Sequence, residues 1–120
     1  MTDTNPLADI GQFTGTAQWY RHGLNRSVLY TDGVQYVAEK AGAYWLVDEI
    51  ALAQVHAAQV KAEAFQLWRL TVKDDSTATL ACEDGNGNSV YAKEIPFTDF
   101  PKQGIRFYVS NSVIMLPSEY

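Results

Sequence analysis

"TDGVQYVAEKAGAYWLVDEIALAQ", residues 31–54, decides the fold class of this chain. Val34, Val37, Ala38 and Ala41 recur at helical spacing. Thr31 or Asp32 stands where an N-cap belongs, and Gly42 where a helix-ending glycine belongs. A rival reading makes Asp32-Gly33 a hairpin turn between strands over 27–31 and 34–39. Alternation over 34–39 is poor, so the helix is the favoured reading. Residues 44–62 contain no glycine or proline and are rich in Ala, Leu, Gln and Glu, which favour helix. Leu46, Ile50, Ala53 and Ala57 share one face, broadened by Trp45, Leu52 and Val55. The spacing predicts helices over about 32–41 and 44–62, joined at the Gly42-Ala43 step.

After Phe65 the grammar changes to that of strands. "FQLWRLTV" (65–72) alternates and is rich in β-formers. "TATLACE" (77–83), "SVYAKEI" (89–95), "IRFYV" (105–109) and "VIML" (113–116) follow. Asp74-Asp75-Ser76, "DGNGN" (84–88) and Ser110-Asn111-Ser112 supply turns, and Pro96 and Pro101 interrupt the series. Short connections predict antiparallel neighbours. The expected architecture is therefore α+β: N-terminal helices packed on a C-terminal antiparallel meander of four to five strands. An open meander leaves edges, so homodimerisation through 105–109 or 113–116 is an expectation.

Upstream, residues 1–5 are polar and read as mobile. Asn5-Pro6 reads as a cap and first turn of a short helix reaching about Gln12. "FTGTAQWYRHGLNRSVLY" (13–30) has no clean period, although 27–30 suits a short strand or an extended lead-in.

The chain has 120 residues, 47% of them apolar, and a net charge of -5. That is the composition of one globular domain, 1–120, long enough to bury a core without staples. Its acidity argues against direct nucleic-acid binding and suits a basic partner. Cys82 is the only cysteine, which excludes an intramolecular disulfide and fits a reducing compartment. No signal peptide and no membrane-spanning run is evident, so a cytoplasmic location is expected.

"FTGTAQWYRH" (13–22), the 29–54 block, "WRLTV" (68–72), "CEDGNG" (82–87) and the ending "VIMLPSEY" (113–120) resemble a family of small uncharacterised bacterial and phage- or plasmid-borne proteins, a domain of unknown function. The resemblance implies an accessory role in a mobile element, such as interference with a host system, and it assigns no catalytic residue.

The residues offer few chemical constellations. His22 and His56 are the only histidines, and His56 lies roughly 12 Å along a helix from Asp48, at 1.5 Å per residue, so neither a metal nor a cofactor is expected. Cys82 sits in a strand beside Glu83 and Asp84, where a thiol behaves as a small hydrophobe. Asp48 and Glu49 diverge by about 100° on a helix and form no facing acid–base pair. Asp48 is read as a tether to the N-terminal segment through Arg21 or Tyr20. "DGNGN" lacks the closing acid of a calcium loop. The aromatic residues remain: Trp19, Tyr20, Tyr36, Tyr44, Trp45 and Trp68. Most must be core, but adjacent pairs diverge, so Trp19-Tyr20 and Tyr44-Trp45 should each give one inward and one outward ring. A partner patch or ligand groove would lie where 19–22 meets the 42–45 joint, at Trp19, Tyr20, Arg21, His22, Tyr44, Trp45 and Asp48.

The leading functional expectation is a non-enzymatic binding or inhibitor protein acting on a host protein. A small-molecule, nucleotide-like binder comes second. A small enzyme using histidine and aspartate comes third.

Overall fold

The computed structural model describes residues 18–120 together with Leu7, Gln12 and Gly15. The mobile lead and short helix expected over 1–12 lie outside the described residues. Strands β1 (Trp19–Arg21) and β2 (Leu29–Thr31) come first, then helices α1 (Asp32–Ala41), α2 (Tyr44–His56) and α3 (Ala58–Lys61). Strands β3 (Phe65–Val72), β4 (Ala78–Glu83), β5 (Ser89–Ile95), β6 (Ile105–Ser110) and β7 (Val113–Met115) complete the chain, closed by a 3-10 turn at Pro117–Glu119. Among the described residues the fold is mixed α+β, with three helices and one seven-stranded sheet ordered β1-β2-β7-β6-β3-β4-β5.

This corrects the expected architecture in four respects. The sheet has seven strands rather than four or five, because β1 and β2 join it. The helices follow those two strands instead of opening the fold. The run is no simple meander: β6 does not pair with β5 but returns beside β3, so β6-β3-β4-β5 has the Greek-key order, and β2 pairs with β7 in parallel. Finally, among the described residues β6 and β7 lie inside the sheet order and its outermost strands are β1 and β5, so of the two segments expected to offer an edge only Ile105–Phe107, which β7 does not reach, lacks a strand on one side.

Local chemistry explains the helices. The Thr31 hydroxyl accepts from the Val34 N–H and caps α1, and Gly42 ends it in the left-handed region at φ 61°. The helix expected over 44–62 breaks at Ala57, which is extended at φ -108° and ψ 103°. Neither glycine nor proline marks that break. Beyond it the buried Gln66 amide of β3 donates to the Val60 and Glu63 carbonyls at 2.9 and 3.1 Å, so a strand side chain takes up backbone acceptors at the end of α3. Gln66 also exchanges hydrogen bonds with Gln54 of α2 and accepts from the Trp68 indole at 2.9 Å.

Strand alternation sorts the sheet into two faces. Gln66, Trp68, Leu70, Leu80, Cys82, Phe107, Val109 and Ile114 are buried on one face. They form the core together with Val34, Leu46, Val47, Ile50 and Val60 from the helices. Their neighbours Phe65, Arg69, Arg106 and Tyr108 occupy the other face, which none of the helices α1 to α3 covers. There the C-terminal Tyr120 folds back edge-on to Phe65 and Tyr108, with centroids 5.3 and 5.4 Å away. The end of the chain is pinned as well. Glu119 accepts from the Thr31 hydroxyl at 2.7 Å, the Gly33 N–H at 3.2 Å and the Leu116 N–H at 2.9 Å.

No helix among the described residues is long and apolar enough to cross a membrane.

Candidate functional site

The 19–22 segment is linked to α2 at the β1 edge of the sheet, through His22 and Asp48. His22 is the organiser. Its ring is buried, and its Nδ1 accepts from the Leu24 and Asn25 N–H groups at 3.1 and 3.0 Å. With Nδ1 accepting twice, the ring carries its proton on Nε2 and donates it to Asp48 Oδ1 at 2.7 Å. The short contact is thus a neutral imidazole donating to a carboxylate. The Asn25 amide adds a bond to the Ala51 carbonyl at 2.9 Å, so the 22–28 loop is fastened to α2 at two points. Asp48 thus tethers this segment through His22, not through Arg21 or Tyr20. Arg21 instead reaches the Arg26 carbonyl at 2.5 Å.

Asp48 and Glu49 diverge as their helical positions require. Asp48 holds the β1 side of the sheet, while Glu49 accepts from Lys93 of β5 at 2.8 Å and holds the far side. That bond raises the Lys93 pKa.

Above His22 the phenols gather. Tyr20 pairs with Tyr30 in register, and their rings stack at 5.6 Å. The Tyr30 pKa is raised, first by burial and then by Tyr20 and the Asp48 and Glu39 carboxylates. Tyr44 donates to Glu39 at 2.6 Å, and this bond leads the causes that push its pKa up to about 12. Tyr20 and Tyr30 contribute to the same shift, and Asp48 and Glu39 both act on Tyr30, so the three phenols and two carboxylates share one neighbourhood. Trp45 turns inward against the core while Tyr44 stays 39% exposed.

The other pair also splits. Tyr20 lies on the helix side, and alternation puts Trp19 and Arg21 on the opposite face of β1, where Trp19 is 55% exposed. Tyr20, His22, Tyr44 and Asp48 are therefore brought together, whereas Trp19 and Arg21 lie on the opposite face and Trp45 packs into the core. Tyr30 and Glu39 belong to the cluster but escaped the sequence reading. A three-residue strand is too short to show a period, and Glu39 looks like any exposed helical acid.

The remaining candidates resolve individually. Cys82 is fully buried, and burial, then Glu63, Glu83 and Asp84, push its thiol up to about 12. His56 ends α2 on the exposed surface. In the 84–88 turn the Asp84 carboxylate accepts from the Asn86 and Asn88 N–H groups and the Asn88 amide, at 2.8–3.1 Å, which engages both its oxygens. Among the described residues no group of three or more His, Cys, Asp and Glu side chains is arranged to hold a metal ion.

Residues 4–120 match a family of unknown function, DUF6876. The chain belongs to that family. No curated protein and no solved structure matches it.

Proposed function

We propose that this DUF6876 chain is a non-enzymatic binding protein that docks on a basic protein surface through the Tyr20, Tyr30, Tyr44, Glu39 and Asp48 patch. The observation that carries the reading is the convergence of three amphipathic rings with two carboxylates on a rigidly fastened sheet edge. Tyrosines supply contact area at low entropic cost. The carboxylates supply complementarity to lysine and arginine and favour aromatic contact with a cation. The net charge of -5 steers the whole molecule toward such a partner. As an accessory factor of a phage or plasmid, the protein would inhibit a host complex by occupying a face that otherwise binds nucleic acid.

Capture from host lysate with tagged protein tests this. A partner should bind at low salt and elute at about 0.5 M salt, where screening shortens to a few ångströms. Glu39→Gln and Tyr44→Ala should each reduce capture. A partner retained equally by both variants and by high salt would refute the assignment.

A further inference from the structure

A second surface of opposite charge lies on the uncovered face of the sheet. Arg69 of β3 and Arg106 of β6 are direct cross-strand partners in register, and both are exposed. Like charges placed directly opposite one another on a sheet destabilise it. The sheet offers little relief. Among the described residues Arg69 reaches only Glu83, at 4.0 Å, and Arg106 has neither an ion pair nor a hydrogen bond. An acidic chain with few cations has set two of them side by side.

The place where they stand is concave. β7 pairs with β6 only over residues 108–110, so Ile105–Phe107 keep β3 on one edge and no strand on the other. The chain turns away there at Leu116–Pro117. A groove of about 520 Å³ opens between that turn and the β3–β6 ladder, with Arg69, Thr71, Lys102 and Arg106 on its walls. Gly104 forms part of the floor. At φ +67° it presses the 101–104 turn so close to β3 that a Cβ there would lie 2.2 Å from the Leu70 carbonyl oxygen. The Lys102 ammonium is tied to the Lys73 and Asp74 carbonyls at 3.0 and 3.1 Å, which fixes a third positive charge at the rim. Leu116, Pro117 and Ile105 give the groove an apolar side.

We infer that this groove binds a phosphomonoester of small-molecule size, its phosphate forked between Arg69 and Arg106 and its body against Leu116 and Pro117. Guanidinium pairs match phosphate geometry with parallel hydrogen bonds. A dianion between them converts the repulsion into attraction. The volume falls in the range of small-ligand sites. The inference does not depend on the Tyr20–Tyr44 patch.

Isothermal titration of the full chain at low salt, with inorganic phosphate, adenosine monophosphate and citrate as probes, tests it. Both phosphate probes should bind, the nucleotide more tightly, and Arg106→Gln should weaken them about ten- to hundredfold, the loss expected for hydrogen bonds to a charged group. Without ligand, Arg106→Gln should melt no lower than the parent, since it removes a repulsion. Amide shifts on adding adenosine monophosphate to the parent protein should centre on Thr71, Gly104, Arg106 and Ser118, a readout that needs no variant. The inference is overturned by an absence of heat with both phosphate probes. Binding of citrate alone would overturn it, as would binding that survives in the double variant Arg69→Gln/Arg106→Gln or shifts centred elsewhere.

Discussion

Replacing His22 by alanine tests the idea that one neutral imidazole holds the β1 edge in place. The ring makes three hydrogen bonds: it accepts from the Leu24 and Asn25 N–H groups and donates to Asp48. The two contributions differ in kind. Asp48 is 47% exposed, so water replaces most of its lost donor and that bond is discounted to about 1 kcal/mol. The two N–H groups sit in a tight, part-buried loop around a ring that is 3% exposed, and losing their acceptor costs about 1 kcal/mol each. His22→Ala should therefore destabilise the protein by roughly 3 kcal/mol, a large share of the 5–15 kcal/mol typical of a domain. His22→Asn separates the contributions. Its Oδ1 falls near the position of Nδ1 and can still accept both N–H groups, so about two-thirds of the loss should be recovered. Asp48→Ala should cost only about 1 kcal/mol. Urea unfolding of the three variants measures all of this. If Asp48→Ala costs as much as His22→Ala, the carboxylate rather than the loop dominates and the reasoning fails.

Gln66→Leu keeps the core volume but strips partners from the Trp68 indole, Gln54 and the Val60 and Glu63 carbonyls; a loss of about 3–4 kcal/mol in urea unfolding is expected. Burial holds the Glu119 carboxyl above its ordinary 4.5, so between the unfolded and folded values the native state binds more protons than the unfolded one. Its contribution to stability therefore falls as pH rises through that window. Glu119→Gln should flatten the slope of unfolding free energy from about pH 4.5 upward, as denaturant titrations at successive pH values would measure. Cys82, its thiol pushed up to about 12, should stay silent to a thiol reagent at mild alkaline pH and react fully once denatured. Rapid labelling of native protein would contradict its burial.

The second half of the chain was largely legible because turn chemistry brackets each strand. The strand expected at 65–72 is β3 to the residue, and 77–83, 89–95, 105–109 and 113–116 differ from β4 to β7 by one residue at most at either end. Strand order was not legible. Pro96 and Pro101 say that β5 ends, but whether the next strand lies beside β5 or crosses to β3 is decided by side chains distant in sequence. Of the helices, α1 carried its own caps and its bounds were readable, whereas the break at Ala57 carries no glycine, proline or side-chain cap that would mark it in the sequence. The tether on Asp48 was legible as a type of interaction, and its partner was off by one residue. Alternation alone puts Tyr20 and His22 on one face and Trp19 and Arg21 on the other, so a contiguous stretch of sequence could not be a contiguous surface. The Arg69–Arg106 pair was hidden for a related reason: each arginine is visibly outward in its own strand, but their opposition exists only in the β3–β6 register.

That register also keeps the two proposed surfaces apart. From β1 to β6 the sheet order crosses β2 and β7, three strand spacings or roughly 14 Å at about 4.8 Å each. The phenol patch lies on the helix side and the groove on the open side. Sites beyond about 10 Å that share no partners contribute independently. Asp48 and Glu49 reinforce the separation, since α2 is fastened at both sides of the sheet, through His22 and through Lys93, and loosening one leaves the other in place. Loss of the His22 clasp should therefore free the β1 edge without moving Arg69 or Arg106. In a double-mutant cycle of His22→Ala with Arg106→Gln, the stability changes should add to within about 0.5 kcal/mol. Phosphate affinity should follow the arginine alone. Strong coupling would mean that the sheet transmits changes between its faces, and the two surfaces would then have to be treated as one site.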